Sequence, residues 1–141
     1  MKSRVRSIAL GSFFALLSAC GGWLVCFSVD FGNGMAEFFR LLGLKAKNPS
    51  MSIDDWFLIA LSLTCAVAAI AFFTRHAWAS APAVVALISI ALWAIEMIVV
   101  PENGSIHLSW RFDPVADMVM LATAIAGLLA VLWNRSKVAT N

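Results

Sequence analysis

Four apolar blocks, each near the length a bilayer demands, dominate this chain: residues 8–29, 56–74, 82–100 and 115–133. A hydrocarbon core of about 30 Å takes about 20 helical residues at a rise of about 1.5 Å each. Backbone N–H and C=O groups in lipid meet no water, so a spanning segment must satisfy them internally. None of the blocks alternates apolar with polar residues, which leaves the helix as the spanning structure. Composition agrees, with 62% hydrophobic and 13% charged residues against about 45–50% and about 25% in soluble domains. The expected fold is an all-α integral membrane protein, a four-transmembrane-helix bundle forming one domain over residues 1–141.

Local punctuation fits those limits. Ser52-Ile53-Asp54-Asp55 places a capping hydroxyl three residues before a carboxylate, and Asp113-Pro114 places a capping carboxylate before a proline at the first helical position. Pro101 followed by Glu102-Asn103-Gly104 ends the third block and begins a turn. Trp23, Trp56, Trp78, Trp110 and Trp133 fall near predicted span ends, where amphipathic rings prefer the headgroup level, and Trp93 alone sits inside.

Charge sets the expected orientation. Lys2, Arg4 and Arg6 precede the first block, Arg75 lies in the short connection beside His76, and Arg135 and Lys137 follow the fourth, with no Asp or Glu among them. The other connections mix Arg40, Lys45, Lys47 and Arg111 with Asp30, Glu37, Asp54, Asp55, Glu102 and Asp113. Under the positive-inside rule both termini and the loop 75–81 are cytoplasmic, and the loops 30–55 and 101–114 are outer. The expected location is a bacterial inner membrane, crossed several times.

The stretch LLSACGG complicates the first block. Leu17-Ser18-Ala19-Cys20 resembles a bacterial lipobox behind a basic start, so lipidation at Cys20 is a minor alternative. A mature lipoprotein usually continues into a polar tether, whereas residues 22–29 stay apolar up to Asp30. One uncleaved helix over 8–29 accommodates the whole block and is the expected form.

Small residues suggest where helices meet. Gly11, Ala15 and Ala19 repeat at four-residue spacing, as do Ala122, Ala126 and Ala130 beside Thr123 and Gly127. Such stripes let backbones approach in lipid, within this chain, in a homo-oligomer or against a membrane-protein partner. Outside the blocks, residues 35–47 combine Met35, Phe38, Phe39 and Leu42 with Glu37, Arg40 and Lys45, which suits a short outer helix lying in the interface. Ile106, Leu108, Trp110 and Phe112 alternate with His107, Ser109 and Arg111. That is the pattern of a short outer β-strand, although an extended loop dipping aromatic rings into the headgroups is favoured.

Intramembrane chemistry has few carriers. Glu96 lies about four residues inside the outer end of the third block and Asp117 at a similar depth in the fourth. An acid at that depth is a candidate proton or cation site, and two neighbouring carboxyls would share a proton. Ser89, seven residues before Glu96, shares its face, and Arg111 is a candidate partner. The competing structural reading has Glu96 reaching outward and Asp117 stabilised in a first helical turn; it is favoured.

His76 and His107 fall on opposite sides, no Glu-x-x-His or Cys-x-x-Cys occurs, and the glycine-loop and nucleophile-elbow motifs are missing. Cofactors, metals, catalysis and nucleic-acid binding are therefore not expected. The expected role is a small non-enzymatic inner-membrane accessory or interaction protein with the lipid bilayer as its first partner. The alternative is a subunit of an ion, proton or small-solute transporter using Glu96 and Asp117.

Overall fold

The computed structural model describes residues 2–45, 51, 53–99 and 114–138. Four long helices account for most of them: α1 (Lys2–Leu41), α2 (Ile53–Phe73), α3 (Ser80–Val99) and α4 (Pro114–Val138). A single 3-10 turn, Ala77–Ala79, leads into α3. All four helices are long and apolar enough to cross a membrane. No strand occurs among the described residues, and the alternating segment 106–112 lies outside them.

Contacts fix an antiparallel order. Gly11 faces Phe73, Phe14 stacks on Phe72 and Gly21 faces Ser62, so α1 and α2 run in opposite directions. Phe57 meets Trp93 across α2 and α3, and Gly127 meets Leu87 across α3 and α4. Phe13 also reaches Gly127, which brings α1 toward α4 and closes the bundle. The result is an up-down-up-down arrangement joined by the short turn 74–79 between α2 and α3.

The core is built from rings and small side chains. Phe14 is fully buried, stacked on Phe72 at 5.8 Å and edge-on to Phe13 at 5.3 Å. Around them Ala68, Ala71, Ala83 and Ala86 are fully buried, with Leu87, Val131 and Cys65 filling the remaining space. Alanine at these positions leaves room for the Phe14 and Phe72 rings and lets neighbouring helices approach closely. Of the two small-residue stripes in the sequence, only part turns inward. Gly11 is buried, whereas Ala15, Ala19, Ala122, Ala126 and Ala130 are exposed. The inward face of α4 carries Ala124 and Val131, with half-buried Gly127 and Leu128 between them.

The first helix departs from expectation. Residues 30–41 do not form a loop and a separate interfacial helix; they continue α1 for an unbroken 40 residues, about 60 Å at the helical rise. Aromatic side chains one turn apart supply the reason. Trp23 stacks on Phe27 at 5.5 Å and Phe27 on Phe31 at 6.1 Å, a favourable ladder at four-residue spacing that carries the helix through Asp30, Gly32, Asn33 and Gly34. No proline interrupts it.

Both described helix C-termini at turns use one closure. At the end of α1, Gly43 N–H donates to the Arg40 carbonyl at 3.0 Å and Leu44 N–H to the Phe39 carbonyl at 3.0 Å, with Gly43 at φ 74°. At the end of α2, Arg75 N–H donates to the Phe72 carbonyl at 3.2 Å and His76 N–H to the Ala71 carbonyl at 2.9 Å, with Arg75 at φ 58°. This is the Schellman closure, whose left-handed residue is usually glycine. Arginine there costs about 1–2 kcal/mol of backbone strain.

Truncating Phe14 to alanine should cost about 3–5 kcal/mol through lost contacts and a cavity. Leu63→Ala, on an exposed site, should stay within about 0.5 kcal/mol. Reversible unfolding in mixed micelles compares the two, and equal losses would contradict the packing described.

Candidate functional site

Where α1, α2, α3 and α4 converge, a cavity of about 310 Å³ remains open. Leu17 and Leu24 of α1, Leu58 of α2, Trp93 of α3 and Met120 of α4 give it an apolar wall. Its two hydroxyls are already engaged. Ser62 Oγ donates to the Leu58 carbonyl at 2.7 Å and Thr123 Oγ1 to the Val119 carbonyl at 2.7 Å, the back-bonded arrangement that hides a hydroxyl in a helix. A cavity of this kind suits an apolar guest rather than water.

Gly21 shapes one wall. A Cβ there would collide with Ser62 Oγ, so the absence of a side chain lets the serine stand between α1 and α2 while keeping its backbone bond. Cys20 and Cys65 also line the cavity. Cys20 is exposed and Cys65 buried, and both are free thiols.

Two acids sit one turn beyond the cavity on the faces that line it. Asp55 precedes Leu58 and Ser62 by three and seven residues, and Asp117 precedes Met120 and Ala124 by the same intervals, so each acid shares a helical face with them. Asp55 is 5% exposed and Asp117 4% exposed. The helix register places them at nearly one level. Asp55, two residues before Phe57, falls beside Ile95, and Asp117, ten before Gly127, falls beside Met97. Both lie in the first turn of a helix, where the positive end of the macrodipole favours a carboxylate. Among the described residues, Asp117 Oδ1 is buried without a hydrogen-bond partner.

The sequence candidates separate in the structure. Glu96 is exposed on α3 at the level of the two aspartates, Ser89 is half-buried on the same helix, and Asp117 is buried in α4. Arg111 lies outside the described residues, as do His107 and the capping residues Ser52 and Asp113. Asp55 is the residue that capping logic alone undervalued. Its spacing to Leu58 and Ser62 was the available sign that it faces inward. No group of three His, Cys, Asp or Glu among the described residues could hold a metal ion.

Comparison with known proteins finds no family model, curated relative or solved structure that matches the chain.

Replacing Asp117 by leucine removes a buried carboxyl whose Oδ1 has no hydrogen-bond partner among the described residues. The desolvation relieved outweighs the lost first-turn charge, worth about 0.3–1 kcal/mol, so the bundle should gain about 1–2 kcal/mol. Unfolding of the Asp117→Leu variant in mixed micelles measures it; a loss of similar size would show that the carboxylate serves the fold.

Proposed function

We propose that the chain is a multi-pass protein of a bacterial inner membrane, both termini cytoplasmic, acting as a non-enzymatic accessory protein that docks against another membrane-spanning chain. The observation that carries this reading is the outward placement of small-residue stripes. Ala15 and Ala19 on α1, and Ala122, Ala126 and Ala130 on α4, remain exposed after the bundle has closed. In lipid, helices associate through close van der Waals contact over such stripes. The helices that carry them also expose large aliphatic side chains, among them Leu16, Val119 and Leu129, as a lipid-facing surface requires. The charge asymmetry supports the orientation, with Lys2, Arg4, Arg6, Arg75, Arg135 and Lys137 toward one end and all eight Asp and Glu outside residues 1–29, 56–95 and 118–141.

The experiment is cross-linking in native membranes followed by native mass spectrometry. Wild-type protein should appear as a larger assembly, with itself or with another membrane protein. Ala126→Leu with Ala15→Leu should reduce that assembly at least about tenfold, since overfilled helix contacts cost about 1–3 kcal/mol. A wild-type chain that is monomeric after cross-linking would overturn the docking reading. A C-terminal reporter active on the outer side would overturn the orientation.

The buried carboxylates favour a second reading, a subunit of an ion, proton or small-solute transporter. Asp117, buried and with no hydrogen-bond partner to its Oδ1 among the described residues, is the specific support, since a buried acid in a membrane helix is a functional candidate by default. Glu96 belonged to this reading from the sequence, and the burial of Asp55 adds it as a candidate. Flux through reconstituted protein should fall at least about tenfold in Asp117→Asn or Asp55→Asn if this reading holds. Flux unaffected by these and by Glu96→Gln would reject it.

A further inference from the structure

The turn between α2 and α3 forms one side of a second cavity, of about 370 Å³, at the basic end of the bundle. Arg75 and His76 enter from this turn, Arg135 and Asn134 from α4, Ser7 from α1 and Ser80 from the start of α3. Phe72 and Ala79, both buried, supply an apolar floor. Every polar side chain in the lining can donate: two guanidinium forks, which only donate, with an imidazole, two hydroxyls and an amide. No Asp or Glu occurs in residues 1–29, 56–95 or 118–141, so the segments that build the cavity bring no acidic side chain to neutralise the arginines. Arg4 and Arg6 begin α1 at the same end and add to the positive field.

The backbone gives an independent sign. Arg75 occupies the left-handed position of a Schellman closure, the position that Gly43 fills in the same closure at the end of α1. Glycine makes this turn without strain, so an arginine in its place is not explained by the turn. Such strain marks positions where the side chain has a separate task. The closure also removes an obstacle to an anion. The Ile70, Ala71 and Phe72 carbonyls, which would repel one at the end of α2, accept bonds from Thr74, His76 and Arg75. His76 is held by stacking on Trp78 at 5.4 Å.

We infer that this cavity binds a phosphate ester, with Arg75 and Arg135 holding the phosphate oxygens. Planar guanidinium groups match phosphate geometry with paired, charge-assisted hydrogen bonds. Ser7, Ser80 and Asn134 supply the neutral donors. Two sources share this chemistry: the headgroup of an anionic phospholipid, and a soluble phosphate compound from the aqueous side.

The test uses the full chain in nanodiscs containing either phosphatidylglycerol or phosphatidylcholine alone, read by native mass spectrometry after gentle lipid removal. Wild type should retain phosphatidylglycerol, and each of Arg75→Gly and Arg135→Gln should weaken retention about fivefold. Arg75→Gly should leave thermal stability unchanged or raised, because it relieves the left-handed strain, and this separates a binding role from a structural one. In the phosphatidylcholine discs, saturable binding of inorganic phosphate or glycerol phosphate that Arg75→Gly weakens would identify a soluble source. Retention of phosphatidylglycerol without such binding would identify the headgroup. Equal retention by wild type and by the protein carrying both Arg75→Gly and Arg135→Gln, with no saturable phosphate binding, would overturn the site.

Discussion

Close approach of helices over missing or minimal side chains is the contact on which this bundle depends. Gly11 makes room for the Phe73 ring, Gly21 for Ser62 and Gly127 for Leu87, while Ala68, Ala71, Ala83 and Ala86 line the centre with nothing larger than a methyl group. Between helices this apolar, contact area at short range is the source of cohesion that a membrane setting would leave. The few large buried groups, Phe14 above all, occupy space that the small residues frame. The cavity beside Ser62 is where that framing stops and no side chain fills the gap.

Much of the architecture is legible in the sequence because span length is a coarse and strongly constrained quantity. The starts of α2, α3 and α4 fall within a few residues of the expected blocks, and Pro114 opens α4 as its ring geometry requires. The first helix was less legible. Asp30, Gly32, Asn33 and Gly34 read locally as a break, yet the Trp23-Phe27-Phe31 stack spans the approach to that region and α1 continues to Leu41. Composition weighs residues one at a time, whereas the helix responds to neighbours one turn apart.

The candidate sites show the same division. Asp117 could be singled out because it interrupts an apolar block, but Asp55 sits at a block edge where a cap is an ordinary explanation. Its inward direction depends on how α2 rotates against its neighbours, a property of packing. Arg75 and Arg135 are separated by most of two helices in the chain and come together only through the antiparallel hairpin of α3 and α4. Read singly along the chain they are only two more cations; in the folded bundle they are neighbours around one recess.

The unbroken length of α1 has a mechanical consequence. Its first half is clamped against α2 through Gly11, Phe14 and Gly21, while its last ten residues continue past the level at which α2 begins. From the level at which α2 begins to Leu41 the rod measures about 15 Å, so a tilt of about 10° around that fulcrum sweeps the tip through about 3 Å. Leverage runs both ways: a load pressing on Phe38 and Leu41 is delivered to the end of the α1–α2 contact, where α2 begins.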